Sequence, residues 1–105
     1  MSATDAIGTP LYMSPEQWES HPLTAKSDVF AFGVLLNEML HGQPPWVGEG
    51  VESAMAIGFK VVGGNRPELT DHGLREVITQ CWRPNPAERI NMQEVLERML
   101  PSWDR

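Results

Sequence analysis

The chain has 105 residues, 41% of them hydrophobic and 21% charged, which suits one small folded domain and is unlike a disordered acidic tail. Fourteen acidic and eight basic side chains give a net charge of -6, which disfavours nucleic acid and membrane-surface binding. The single cysteine, Cys81, has no internal disulfide partner, and no Cys/His cluster has metal-ligand spacing. No apolar run approaches the ~20 residues of a membrane helix, and the N-terminus lacks the pattern of a secretory signal. We therefore expect an intracellular, cytoplasmic protein.

The first half of the chain predicts a short helix and a long one. Ser14 is a good N-cap for a short helix over residues 14–18, with a proline at the first helical position. The long helix is predicted to begin at Ser27 or Asp28 and to span residues 27–41. Its apolar residues cover more than one face, so we expect burial nearly all round. Gly42 and the Pro-Pro pair that soon follows it predict its end.

The second half predicts three further helices. Residues 51–62 form the weakest of these, because Gly58 lies within it. Residues 72–82 carry an apolar stripe, and Asp71 offers a capping carboxylate at its start. No segment alternates with period two. The sequence therefore predicts an all-α fold.

The last predicted helix covers residues 91–100. Asn91 and Glu94 have the spacing of a capping box at its start. Its predicted inward stripe consists of Val95, Leu96, Met99 and Leu100.

Several motifs follow one another along the chain. Residues 8–16 read Gly-Thr-Pro-Leu-Tyr-Met-Ser-Pro-Glu, and residues 27–40 begin Ser-Asp-Val-Phe-Ala-Phe-Gly-Val. Residues 42–46 read Gly-Gln-Pro-Pro-Trp, Arg-Pro follows at 66–67, and residues 81–89 read Cys-Trp-Arg-Pro-Asn-Pro-Ala-Glu-Arg. In kind and order they resemble the end of the activation segment, the central helix and the later motifs of a protein kinase. The individual residues of these motifs most resemble those of serine/threonine kinases of the tyrosine-kinase-like group.

The resemblance implies one partial helical lobe of a kinase domain over residues 1–105. Its parts would be the end of the activation segment (1–18), the central helix (27–41) and later helices (51–62, 72–82 and 91–100). Such a chain is expected to be a fragment of a Ser/Thr protein kinase. The alternative is a helical protein-interaction module, standing alone or derived from a pseudokinase.

The resemblance also implies a buried ion pair between Glu16 and Arg89, which would anchor the activation segment to the lobe. Without the resemblance, the two side chains would be read as an exposed glutamate at a helix start and an arginine in a loop. Buried Arg–carboxylate pairs are often bidentate, and removal of one partner is costly.

A loop that contacts the substrate residue after the phosphorylated one is implied for the segment comprising Gly8, Thr9, Pro10, Leu11 and Tyr12. An extended loop that only covers apolar surface is an equal alternative. Upstream of it, Ser2 and Thr4 lie where regulatory phosphorylation of kinases falls, and a solvated polar tail is the alternative for them.

Four further residues are expected to belong to the scaffold. Asp28 is predicted to cap the central helix and to suit its dipole. Gly33 would allow close packing against that helix, and Trp46 and Trp82 would be wedges in the core.

No catalytic, cofactor-binding or metal-binding residue is predicted in this chain. In the family, ATP and Mg²⁺ are bound by motifs that precede the activation segment, so both are expected only for a complete parent kinase. The expected partner is the rest of the kinase domain, or another protein, on the exposed face of the central helix. Self-association through the same face is also expected.

Overall fold

The computed structural model describes residues 10–51 and 53–103. This part of the chain contains five α-helices, two 3-10 turns and no strand, which confirms the all-α prediction. The helices are α1 (Pro15–Trp18), α2 (Ala25–His41), α3 (Ala54–Val62), α4 (Arg75–Cys81) and α5 (Met92–Trp103), and the 3-10 turns are Pro10–Tyr12 and Pro86–Glu88.

Helix α2 is the centre of the fold, and it packs against α4 and both 3-10 turns. The turn Pro10–Tyr12 lies between α2 and α3, while α1 packs on α3. Apolar side chains from these elements form two buried clusters. One is built around Phe30, Trp46 and Trp82, and the other around Val29, Cys81 and Val95.

The beginning of α2 differs from the prediction. The helix starts at Ala25, two or three residues earlier than expected, and Thr24 is its N-cap. The hydroxyl of Thr24 accepts from the backbone N–H of Lys26 at 3.2 Å, and the Ser27 hydroxyl accepts from the N–H of Thr24 at 3.2 Å. The capping role predicted for Asp28 is therefore wrong. Asp28 lies in the first turn, where its charge still suits the helix dipole.

The end of α2 is as predicted, but its burial is uneven. Gly42 adopts the left-handed conformation at φ +88° and donates its N–H to the carbonyl of Glu38. On the core side, Phe30 and Val34 are buried. On the opposite side, Leu35 is 43% exposed and Met39 is 66% exposed, so the helix is not buried all round.

Helix α4 is shorter than predicted and is not capped by Asp71. The residues before it form a turn in which the Thr70 hydroxyl accepts from the N–H of His72 at 3.1 Å. The imidazole of His72 in turn accepts from the N–H of Leu74 at 3.0 Å. These two side chains satisfy the backbone groups that a capping carboxylate would have taken, and Asp71 is exposed.

Helix α5 has the predicted capping box, but the set of its residues that faces the core differs from the predicted one. The N–H of Glu94 donates to the Asn91 amide oxygen at 2.8 Å, and the N–H of Asn91 donates to the Glu94 carboxylate at 3.1 Å. Val95 is fully buried and Met99 packs on the core. Leu96 and Leu100 are more than half exposed, which corrects the prediction for both. The buried line instead runs through Met92, Val95 and Met99.

Two glycines allow close helix packing. A Cβ at Gly33 of α2 would lie 2.6 Å from the Cβ of Cys81 in α4, too close for any real contact. A Cβ at Gly58 of α3 would lie 2.7 Å from the indole ring of Trp18, which explains a glycine within that helix. Cys81 is consequently fully buried, and burial raises the pKa of its thiol to about 12.

Gly33→Ala is expected to lower the free energy of unfolding by about 1–3 kcal/mol, because the added methyl must push α2 and α4 apart. Helix propensity alone would favour alanine by about 1 kcal/mol, so the sign of the effect tests the contact. Urea unfolding followed by circular dichroism measures it. Gly73→Ala is the matched control, since a Cβ there meets nothing within 4 Å. Equal stability of the two variants would contradict the close approach.

Candidate functional site

The segment from Pro10 to Trp18 is fixed to the helices by apolar contacts and a tyrosine. Leu11 and Tyr12 are half-buried and pack against the cluster around Phe30 and Trp46. The hydroxyl of Tyr12 donates a hydrogen bond to the carboxylate of Glu38 in α2. Burial, with this hydrogen bond and the charge of Glu38, raises the pKa of Tyr12 to about 12. The tyrosine therefore remains a protonated donor at neutral pH.

The other end of the segment is held by Glu16 in α1 and Arg89, which follows the second 3-10 turn. The guanidinium donates to both carboxylate oxygens of Glu16, at 2.7 and 2.9 Å, and both side chains are buried. The Ser27 hydroxyl donates to the same carboxylate at 2.9 Å. This bidentate geometry with an additional donor is the arrangement in which a buried ion pair is fully satisfied.

Arg89 also binds three carbonyls in two stretches of backbone through its N–H groups. Nε donates to the carbonyl of Arg83 at 2.7 Å, Nη1 to that of Lys26 at 2.9 Å and Nη2 to that of Pro84 at 3.3 Å. One side chain thus ties α1, the start of α2 and the turn before α5 together. The role is structural.

The pKa of Glu16 reflects opposing effects. Burial alone would raise it, but the hydrogen bonds from Arg89, from the residue's own backbone and from Ser27, with the charge of Arg89, together lower it to about 2. Glu16 is therefore ionised at neutral pH.

A second arginine lies beside this pair. The guanidinium carbons of Arg66 and Arg89 lie 4.9 and 5.1 Å from the centroid of the Phe30 ring. Arg66 also donates to the carbonyls of Trp82 at 2.8 Å and Val61 at 3.1 Å. Burial, and then the charge of Arg89, lower the pKa of Arg66 to about 10, against the opposing effect of Glu16. Arg66 belongs to the predicted Arg-Pro motif, but nothing in the sequence indicated its contacts.

The four predicted scaffold residues lie in three different environments. Trp46 and Trp82 are buried in the first cluster, and Gly33 lies at the contact with Cys81. Asp28 is exposed at the rim of an apolar surface on α2.

Sequence reasoning also missed Asn37, a buried amide on α2. Its Nδ2 donates to the carbonyl of Glu68 at 2.8 Å, and its Oδ1 accepts from the N–H of Thr70 at 2.8 Å. Asn37 thereby fixes the loop before α4 to the central helix. An asparagine in an otherwise apolar helix is a weak signal for such a contact, and the sequence alone did not identify the partner.

Four of the predicted residues, Ser2, Thr4, Gly8 and Thr9, lie outside the described residues. Among those described, no three His, Cys, Asp or Glu side chains are grouped so that they could hold a metal ion. No helix in the same ranges is both long enough and apolar enough to cross a membrane.

Glu16→Ala is expected to lower the free energy of unfolding at pH 7 by about 3–5 kcal/mol, because it leaves the buried Arg89 charge without its partner. Thermal and urea unfolding measure the loss. Glu19→Ala is the control, since Glu19 is exposed directly after the same segment. If Glu16→Ala and Glu19→Ala unfold alike, the pair contributes nothing to stability.

The loss of stability in Glu16→Ala is also expected to depend on pH. The pKa of Glu16 is about 2 in the folded state and 4.5 in the unconstrained side chain, so its stabilisation is present above pH 4.5 and is lost as the pH falls towards 2. The stability difference between the parent and Glu16→Ala should therefore shrink over that range. A difference that is constant from pH 7 to 2 would contradict the ionised pair.

Comparison with known proteins agrees with this architecture. A family described as protein tyrosine and serine/threonine kinase matches residues 2–99. A probable serine/threonine-protein kinase of Dictyostelium discoideum is 35% identical over 94 residues, which cover 89% of this chain and 10% of that protein. Serine/threonine-protein kinase CTR1 of Arabidopsis thaliana is 31% identical, over 96% of this chain and 12% of that protein. Serine/threonine-protein kinase WNK3 of Mus musculus is 35% identical, over 97% of this chain and 6% of that protein. The chain thus spans about a tenth or less of the length of these relatives, and it belongs to the protein kinase family.

Proposed function

We propose that this chain is the part of a Ser/Thr protein kinase domain that supplies the end of the activation segment and the scaffold of the helical lobe. The observation that carries the proposal is the bidentate pair between Glu16 and Arg89, which holds the segment on the lobe. The relatives compared above are named as serine/threonine kinases. The complete parent would phosphorylate serine or threonine in proteins with ATP and Mg²⁺. The Cys-Trp motif at residues 81–82 favours the tyrosine-kinase-like group, and an intracellular, cytoplasmic location follows from this activity.

The turn Pro10–Tyr12 is proposed to form part of the wall that receives the substrate. Such a wall must hold its shape, and two contacts support this: Tyr12 is bonded to Glu38 on one side, and Glu16 is bonded to Arg89 on the other. Leu11 is only half-buried, so it can offer an apolar surface to a substrate residue. Gly8 and Thr9 are proposed to continue the wall.

The chain alone is proposed to be inactive. Its sequence contains no Gly-rich phosphate-loop motif and no His-Arg-Asp or Asp-Phe-Gly motif. Its two lysines, Lys26 and Lys60, lie in α-helices and not in a strand. Phosphoryl transfer depends on positioning and on charge stabilisation by those groups and their metal ions. ATP and Mg²⁺ are thus proposed as cofactors of the complete parent.

Adding ATP and Mg²⁺ to the isolated chain is expected to leave its melting temperature unchanged, because a ligand raises stability only by binding the folded state. Differential scanning fluorimetry at millimolar ATP tests this, and a complete Ser/Thr kinase serves as the positive control. Clear stabilisation of the chain would show a nucleotide site and overturn the proposed inactivity.

The exposed side of α2 is proposed to bind the rest of the kinase domain. This side carries four residues at helical spacing, Asp28, Phe32, Leu35 and Met39. Its apolar residues Leu35 and Met39 are exposed. A groove of about 450 Å³ continues from Leu35 and Met39 towards Leu74 and Met99. Exposed apolar surface of this kind is covered in a stable protein, so a chain without its partner is expected to associate with itself.

Met39→Glu is expected to shift the chain from dimers or larger species towards monomer, because it places a charge in the centre of this surface. Light scattering coupled to size exclusion measures the mass. Leu23→Glu is the matched control, since Leu23 is 65% exposed, Met39 is 66% exposed, and Leu23 precedes the helix. A parent chain that is monomeric at all concentrations would contradict self-association through α2.

The same exposed side supports the second candidate function, a helical interaction module that stands alone or derives from a pseudokinase. The sequence of the transcript immediately upstream separates the two functions. His-Arg-Asp and Asp-Phe-Gly codons in frame are expected for a fragment of an active kinase. Unrelated sequence or a stop codon there would favour the interaction module.

A further inference from the structure

A second apolar groove lies between Trp18 of α1 and one face of α3. Its volume is about 500 Å³. We call it the Trp18 groove, and its lining consists of Trp18, Ala54, Met55, Gly58, Phe59 and Val62. It shares no residue with the groove between Met39 and Leu74, so the proposed contact of α2 does not explain why it is exposed.

The outer face of α3 has the spacing of a helix-packing surface. Met55, Phe59 and Val62 are four and three residues apart, which places them on one face of the helix. Met55 is 71% exposed, Phe59 is 75% exposed and Val62 is 45% exposed, while Ile57 and Val61 on the other face are buried in the core. Apolar residues that alternate at four and three positions form the narrow seam along which one helix packs on another. The shape of this face therefore suits a second helix.

The groove and the side chain that projects beside it lie on the same helix. The indole of Trp18 forms the floor and is fixed against Gly58, where a Cβ would lie 2.7 Å from the ring. Phe59, the next residue, projects from the same face. A two-fold symmetric contact requires this arrangement, because one surface patch must be complementary to itself. Each copy could give its Phe59 to the groove of the other copy and receive a phenylalanine in return.

The charge of α3 differs from that of the other helices. Each of the other described helices contains at least one aspartate or glutamate, whereas α3 contains none, and Lys60 is its single charged residue. Two chains of net charge -6 repel each other on approach. This repulsion is smallest where the two α3 helices meet. The face of α3 therefore accepts a second copy of the same chain better than the acidic helices do.

We propose that the chain forms a two-fold symmetric dimer through the Trp18 groove, in which Phe59 of each copy enters the groove of the other. The two α3 helices pack along their exposed seams, and the indole of Trp18 receives the phenylalanine ring. This dimer goes beyond the proposed function and does not depend on it. It also differs from association through α2, because the two surfaces share no residue.

The size of the contact predicts a weak dimer. Three side chains exposed to this extent present roughly 300–400 Å² on each copy, so the contact would bury on the order of 700 Å² in all. Stable interfaces bury about 1,200 Å² or more. We therefore expect a dissociation constant of about 0.1–1 mM and a dimer that forms only in concentrated solution.

Sedimentation equilibrium of the Met39→Glu chain tests the proposal, because this substitution removes association through α2. From about 10 µM to about 1 mM, the mass is expected to rise from one chain towards two and no further. A mass of one chain over the whole range would overturn the second copy as occupant and leave the groove to a different protein. Growth beyond two chains would overturn the two-fold contact.

A pair of variants in the same background tests the place. Phe59→Glu is expected to weaken the dimer at least about tenfold, because it puts a charge into the apolar groove. Leu96→Glu is the matched control, since it adds the same charge at a side chain of α5 that is 56% exposed, and it should change the dimer within about twofold. Circular dichroism shows that both variants are folded. Equal effects of the two variants would overturn the proposal.

Methionine methyl spectra test the contact without altering the groove. In the Met39→Glu chain labelled with ¹³C at the methionine methyls, dilution is expected to shift the signal of Met55, which lines the groove. Met99, which packs on the core beside α4, is expected to stay unchanged. A shift at Met99 in place of Met55 would overturn the proposal.

The outcome for this dimer is separate from the outcome for α2. If the parent and Met39→Glu have the same mass at every concentration, association through α2 fails, and the effect of Phe59→Glu is still measured. If Met39→Glu lowers the mass and Phe59→Glu has no further effect, association through α2 stands and the dimer through the Trp18 groove is overturned.

Discussion

Glu16 and Arg89 are 73 positions apart in the chain, and their contact closes the fold. Between them run α2, α3, α4 and the second 3-10 turn, so the pair fixes the two ends of a long closed loop. Closing a loop of that length costs conformational entropy, and the buried contacts made inside it must offset this cost. Because both charged groups are buried and fully bonded, each depends on the other. The pair holds the α1 end of the segment Pro10–Trp18 on the lobe, while the hydrogen bond from Tyr12 to Glu38 holds the other end.

The cluster around that pair contains two arginines, and the single negative charge of Glu16 does not balance both. Arg66 and Arg89 both face Phe30, while Glu16 is, among the described residues, the one carboxylate bonded to this cluster. The ring face of Phe30 and the backbone carbonyls that accept from both guanidiniums stabilise the second positive charge. A change at Phe30 would therefore disturb electrostatics as well as packing.

The sequence predicted the fold class and most helix positions because caps and apolar spacing are local signals. The end of α2 at Gly42 and the capping box at Asn91 were found in this way. The start of α2 was missed because Thr24 and Ser27 satisfy the first turn, whereas Asp28 was the more obvious acidic candidate. Leu96 and Leu100 were wrongly assigned to the core, since hydrophobicity alone does not fix the rotation of a helix end.

For the candidate site, the sequence supplied Glu16 and Arg89 only through resemblance to a family. The Tyr12–Glu38 and Asn37–Glu68 contacts join segments far apart in the chain, and no local pattern carries that information. The loop after α2 turns through Trp46 in the left-handed conformation, which sequence reasoning has no ground to expect.

Cys81, the single cysteine of the chain, packs against Gly33 where α2 and α4 meet. The chemical reactivity of its thiol therefore reports transient separation of these two helices. The thiol is fully buried and its pKa is raised to about 12, so reagents that need a thiolate cannot reach or activate it in the closed fold. Alkylation at neutral pH must therefore wait for the two helices to separate. The rate of labelling at Cys81 then reports how readily α2 and α4 separate.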